Sequence, residues 1–172
     1  MDLQRVCADA VGDSDAVPHG HHLALQPGGP VVVVGDGERL AQVAHNLVRN
    51  ALAHTPDGTH VWVSTGVERG EGHIRVADDG PGIPPDDMAR VFDRFYQGDK
   101  SRSGAGTGLG LAIVRAIAEA LHGTADVEST PGRGATITVR IPLAQTHVAA
   151  RVRAEAASAA TPAPPSPSAQ LR

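Results

Sequence analysis

Residues 104–114 read GAGTGLGLAIV, with glycine at 104, 106, 108 and 110 and then an unbroken apolar run. Glycine loses more backbone freedom on ordering than any other residue, so four of them at alternate positions must serve a purpose. One purpose is close approach of main-chain N–H groups to an anion at a helix start; another is a flexible hinge before a core helix. The stretch is not a P-loop, because no Lys-Ser/Thr pair follows the glycines, and the polar DKSRS before it is not the buried strand a dinucleotide-binding turn requires. Leu111, Val114, Ile117, Ala118 and Leu121 recur at helical spacing, and His122-Gly123 supplies a stop. The glycines therefore open a helix.

The chain has 172 residues, of which 41% are hydrophobic and 2% aromatic, with a net charge of −4. That is enough for one domain with its own core. Net acidity and scarce aromatics argue against a nucleic-acid partner. One cysteine, Cys7, excludes an internal disulfide and suits a reducing compartment. The longest plain apolar run, VVVV at 31–34, is strand-sized, and MDLQRVCADA lacks the apolar centre of a secretion signal. The expectation is a cytoplasmic chain without direct membrane insertion, membrane association coming only through a partner.

Beyond residue 143 the sequence turns to Ala, Pro and Ser, with four prolines between 162 and 167, so 144–172 is expected to be a disordered tail. Residues 1–30 are expected to be a linker, turn-rich from 12 onward, and the histidines at 19, 21 and 22 lack companions at ligand spacing, so they read as loop residues rather than a metal site. Between these ends, VVVVGD is predicted as a strand. A helix follows from Asp36 or Gly37 to about Ala53 with Leu40, Val43, Leu47, Val48 and Ala51 inward. Strands are predicted at 60–66 and 73–78, a short helix from Pro85, the glycine-led helix, and strands ADVEST and ATITVRI joined by PGRG. The order β-α-β-β-α-α-β-β implies an α+β fold, a two-layer sandwich of one mixed sheet covered on one face by helices.

Four stretches carry chemistry. In HNLVRNALAHTP, Asn46 and Asn50 lie four apart and share a helix face. They read either as a solvated stripe or as neutral oxygen ligands for a hard cation whose charge phosphates already meet. In VADDGPGIP, Asp78 sits at a strand exit beside Gly80 and Gly82, either as a turn former or as an acceptor for an exocyclic amine. VFDRFYQGD holds three of the four aromatic residues, Phe92, Phe95 and Tyr96, as core anchors or as the base of a mobile segment. The glycine loop is the fourth.

In that order, NxxxN, DxGxG, FxxF and GxGxG across about 65 residues resemble the asparagine, first glycine, phenylalanine and second glycine boxes of the histidine kinase catalytic domain. That family belongs to a superfamily with gyrase, the ninety-kilodalton heat-shock chaperones and the mismatch-repair ATPases. The resemblance covers residues 31–143 and extends to PGRGATITVRIPL, similar to the family's terminal hairpin. It implies a Bergerat-type ATP-binding fold with ATP and Mg²⁺ as cofactors. Asn50 would coordinate the Mg²⁺, assisted by Asn46. Asp78 would read the adenine amine, with Gly80 and Gly82 shaping the pocket and Ile83 against the ring. Phe92, Phe95 and Tyr96 would stand at the base of a lid spanning 97–110. Gly106, Thr107, Gly108, Leu109 and Gly110 would meet the triphosphate, with Arg94, Lys100 and Arg102 as candidate cations. Relatives often carry lysine where this chain has Ala53, which removes one phosphate contact; His54 either approaches the nucleotide or caps the helix.

Hydrolytic relatives place a water-activating glutamate where this chain has Asn46, so the resemblance implies phosphoryl transfer rather than hydrolysis. None of the nine histidines sits in an acceptor motif. The expectation is a two-component protein-histidine kinase domain that phosphorylates a separate dimerisation domain in trans and feeds a response regulator. The chain would be either an excised piece or half of a naturally split kinase. The alternatives are a serine kinase of the anti-sigma-factor type, which normally lacks the FxxF segment, and a nucleotide-binding module without transferase activity.

Overall fold

The computed structural model describes residues 1–16, 20–97 and 107–144. The expected tail beyond Ala144 lies outside them, as do His19, Lys100, Arg102, Gly104 and Gly106. The elements are α1 (Leu3–Asp15), β1 (His22–Leu25), α2 (Gly37–His54), β2 (His60–Glu68), β3 (Glu71–Asp78), α3 (Pro85–Met88), α4 (Gly110–Ala120), β4 (Thr124–Ser129) and β5 (Ala135–Pro142).

α2 forms where the apolar period predicts it. Asp36 caps it, its side chain accepting from the backbone N–H of Glu38 at 2.8 Å and of Arg39 at 3.3 Å. Leu40, Val43, Leu47, Val48 and Ala51 are all buried. In α4 the buried set is Leu111, Val114, Ile117 and Ala118. α2 packs between α1 and α4, and the three form one layer.

The other layer is a five-stranded sheet in the order β1-β2-β3-β5-β4. β1 runs parallel to β2 and every other pair is antiparallel, so the sheet is mixed. Register places Val63 opposite Val76 and Val76 opposite Ile137, which continues one apolar row beneath the helices. Trp62, Ser64, Arg75 and Arg140 alternate to the other face and remain half-exposed.

Three expectations are corrected. Within the expected linker 1–30, residues 3–15 and 22–25 belong to the folded domain. Leu3, Val6, Cys7, Ala10 and Val11 lie on one face of α1 and join the core, and His22–Leu25 adds a parallel edge strand. Asp2 anchors this segment, accepting from Gln4 N–H at 3.1 Å and from Val31 N–H at 3.0 Å. Second, VVVV forms no strand, only the isolated bridges Asp2–Val32 and Val33–Leu143. Val31 and Val33 are nevertheless buried while Val32 and Val34 are exposed. Third, the helix from Pro85 lasts only four residues before the chain passes into turns.

The end of α4 also differs in detail. The left-handed residue there is His122, at φ 59°, rather than Gly123. Glycine at 123 is required by space instead, since a Cβ would lie 2.0 Å from the Arg140 carbonyl oxygen.

Candidate functional site

Three segments from distant parts of the chain meet beside the C-terminal half of α2. Asp78 ends β3, and its Oδ1 accepts from the N–H of Gly80 at 2.9 Å and, more weakly, of Ala135 at 3.3 Å. Both bonds fall on one oxygen, which leaves Oδ2 free among the described residues. Partial burial pushes the Asp78 carboxyl above the usual range, and the two N–H donors offset part of that rise. The neighbouring Asp79 behaves oppositely. The backbone N–H of His60 donates to its Oδ1 at 2.8 Å and the His60 ring pairs with Oδ2 at 3.0 Å, which holds it below the usual range.

The loop after Asp78 is locked to the β4–β5 turn. Gly82 has φ +70° and Gly134 has φ +87°, conformations that disfavour any side chain. A Cβ at Gly134 would lie 1.8 Å from the Asp78 carbonyl oxygen, and one at Gly82 would lie 2.5 Å from that of Thr130. The N–H of Gly132 donates to Pro81 O at 2.8 Å. Ile83 N–H donates to Ser129 Oγ at 2.8 Å, and that hydroxyl donates to Gly134 O at 2.7 Å. Gly80 faces the end of α2, where a Cβ would lie 2.7 Å from Thr55 Cγ2.

Along α2, Asn46 is only 8% exposed. Its Oδ1 accepts from Arg49 at 3.0 Å, while its Nδ2 is buried without a partner. Asn50 is half-buried, and its amide has no hydrogen-bond partner among the described residues. It offers a free, neutral, hard oxygen, which fits a divalent cation. His54 stands at the exposed end of α2 with its imidazole held below the ordinary value by desolvation.

The start of α4 completes the arrangement. Leu109 is its N-cap and offers no side-chain hydrogen bond. Gly110 lies over α2, where a Cβ would come 3.8 Å from Arg49 Nη2 and 3.9 Å from Asn46 Oδ1. Gly108, at φ +66°, accepts from the Phe95 N–H at 2.9 Å, so the aromatic segment and the glycine segment touch. Phe92 packs against the core. Phe95 is itself left-handed and 73% exposed, so its backbone rather than its ring makes the junction. Tyr96 donates its hydroxyl to Asp87 and lies 4.4 Å beneath the Arg90 guanidinium, fastening the segment to α3. Thr107 and Arg94 are exposed.

The structure thus places the Asp78–Ile83 loop at the Thr55 end of α2, through Gly80, and Gly108, Leu109 and Gly110 beside Asn46 further back along it, with Asn50 one turn after Asn46. The lid expected at 97–110 falls mostly outside the described residues. Sequence reasoning missed Arg49, Thr55, Ser129 and Ala135. The last two belong to a hairpin some fifty residues from Asp78 and carry no local signal beyond the PGRG turn. Of the histidine cluster, His21 bonds the Thr55 carbonyl at 3.1 Å and His22 stacks on His60, while His19 lies outside the described residues. No helix among those residues is long and apolar enough to cross a membrane.

Comparison with known proteins agrees with this geometry. The family profile described as histidine kinase-, DNA gyrase B-, and HSP90-like ATPase matches residues 35–145. The probable sensor histidine kinase TcrY of Mycobacterium tuberculosis is 45% identical over 146 residues, which is 83% of this chain and 30% of that protein. SenX3 of Mycolicibacterium smegmatis, a sensor-like histidine kinase, is 39% identical over 146 residues, 83% of this chain and 38% of that protein. Among solved structures, the mycobacterial sensor histidine kinase MprB matches with a TM-score of 0.74 at 28% identity, covering 83% of this chain and 96% of that one. The chain spans about a third of the length of the curated relatives it matches.

Proposed function

The chain belongs to the family of histidine kinase-, DNA gyrase B- and HSP90-like ATPases, and on that premise we propose that it is the ATP-binding catalytic domain of a two-component sensor histidine kinase. It transfers the γ-phosphoryl group of Mg-ATP to a histidine on a dimerisation domain, which then feeds a response regulator on the cytoplasmic side. The observation that carries this reading is Asp78. Its Oδ1 is held by two backbone N–H groups and its Oδ2 faces no donor, so the carboxylate is positioned to accept a hydrogen bond from the adenine amine.

Gly80 and Gly82 keep the wall beside Asp78 free of side chains, and Ile83 offers an apolar surface to the base. Asn50 would hold the Mg²⁺, which when bound neutralises charge on the phosphates. The open first turn of α4 presents N–H groups to the same anion. Asn46 is neutral, and its oxygen is already bonded to Arg49, so it cannot take a proton from water. That supports transfer over hydrolysis. The naming of the relatives as sensor histidine kinases supports a histidine acceptor over serine.

The test supplies the full chain with Mg-ATP and a dimerisation hairpin from a sensor kinase. Acid-labile, base-stable phosphate on the hairpin is expected, with none on this chain, and Asn50→Ala should lose both transfer and Mg²⁺-dependent affinity. Acid-stable phosphoserine on a partner would instead establish the serine-kinase reading. ATP binding without transfer to any cognate hairpin would leave a nucleotide-binding module.

A further inference from the structure

Arg49, exposed to solvent, lies against the start of α4. Its Nη2 donates to Asn46 Oδ1 at 3.0 Å, and a Cβ built on Gly110 would lie 3.8 Å from it. A helix N-terminus is the positive end of the macrodipole and disfavours a nearby cation. No carboxylate pairs with Arg49 among the described residues. α4 is 11 residues long with no side-chain cap, so its first N–H groups are also open. Asn46, 8% exposed, adds a buried Nδ2 with no partner. Turning that amide over would not help, because arginine carries only donors and needs Oδ1. An exposed guanidinium whose acceptor among the described residues is Asn46 Oδ1, an uncapped helix start and an orphaned amide are thus gathered together.

We propose that Arg49, held in place by Asn46, binds the terminal phosphoryl group of the nucleotide. The proposal rests on the ATP reading above and deepens it. α2 acts as a ruler: Thr55 marks the base end through its contact with Gly80, Asn50 lies between, and Asn46 is nine residues before Thr55. At 1.5 Å per residue that is about 13.5 Å, which separates the base end from the phosphate end. An anion there supplies acceptors for all three donor groups and removes the repulsion between cation and helix. Arginine suits the task because its planar fork binds phosphate oxygens in pairs. Asn46 is then a positioning residue, with its oxygen engaged by Arg49 and its amide N–H directed to the phosphate.

Titration calorimetry of the full chain with Mg-ATP and with Mg-ADP tests this in the wild type, Arg49→Gln and Arg49→Lys. Arg49→Gln should weaken ATP by about tenfold or more and leave ADP nearly unchanged. Arg49→Lys, which keeps the charge but not the fork, should fall between. Equal losses for both nucleotides, or none for either, in Arg49→Gln with a wild-type melting temperature would overturn the proposal. If Arg49→Gln does not fold, Arg49→Lys decides: an ATP-to-ADP affinity ratio equal to that of the wild type overturns it and a reduced ratio supports it. A wild-type chain that binds neither nucleotide would bring down the ATP reading itself, and this proposal with it.

Discussion

The two ends of the candidate site are built differently. At the Asp78 end, two glycine turns interlock so closely that a single Cβ at Gly134 would meet a carbonyl oxygen at 1.8 Å. Four hydrogen bonds of 2.8–3.3 Å link residues 78–83 to one another and to 129–135. At the α4 end, the described junction is one hydrogen bond from Phe95 to Gly108, beside an uncapped helix start and an unpartnered amide. One end is preorganised, with its donors already spent on protein acceptors. The other keeps donors in reserve. The difference teaches where discrimination and where catalysis belong: a base is recognised by a fixed acceptor, whereas a phosphoryl group in transit needs donors that nothing else occupies.

The most severe way to break this comparison is Gly134→Ala. Left-handed strain and the clash with Asp78 should together cost about 3 kcal/mol or more, measured by urea unfolding, and should abolish ATP binding near the transition. Gly132→Ala is the matched control. It has φ +77° but open space around its Cβ position, so only the backbone strain of about 1–2 kcal/mol should appear. Equal losses would show that packing between the two turns adds nothing.

Next in size is Asp78→Asn. One amide orientation presents a donor to the adenine amine, so ATP affinity should fall by about 5- to 150-fold and preference for ATP over GTP should shrink.

The pH dependence sharpens the same point. Asp78 titrates above the ordinary carboxylate range, and a proton taken up there goes to Oδ2, because Oδ1 accepts from two N–H groups. Adenine binding should therefore weaken as pH falls through that raised value, and Asp78→Asn should lose the dependence. For stability the sign is reversed. The folded state binds this proton more tightly than the unfolded chain, so stability from this group falls as pH rises from the ordinary carboxylate value through the raised one. Urea titrations of the wild type and Asp78→Asn across that window measure the difference.

The smallest effect is expected from Phe95→Ala. The ring is 73% exposed, so stability should change by less than about 0.5 kcal/mol. If the ring served the domain's own core, as Phe92 does, the loss would be several times larger.

What was legible in the sequence follows from locality. The period of α2 and α4 and the alternation of β2, β3 and β5 lie within short windows, so pattern alone located them, and the same windows marked Asn50, Asp78 and the glycines as candidates. The four motifs in order carried the family. Tertiary structure decided what depends on distant partners. α1 is a core helix because Leu3, Val6 and Cys7 find α2 and the sheet, although the stretch reads as a linker. VVVV makes only two isolated bridges among the described residues, to Asp2 and Leu143, because a strand needs a partner that the local pattern does not reveal. Asp78 owes its second N–H donor to Ala135, 57 residues away, and Arg49 meets a helix start only because α4 packs against α2. Periodicity along one chain fixes which face of an element is buried; only packing fixes which backbone donor, helix end or cation that face will meet.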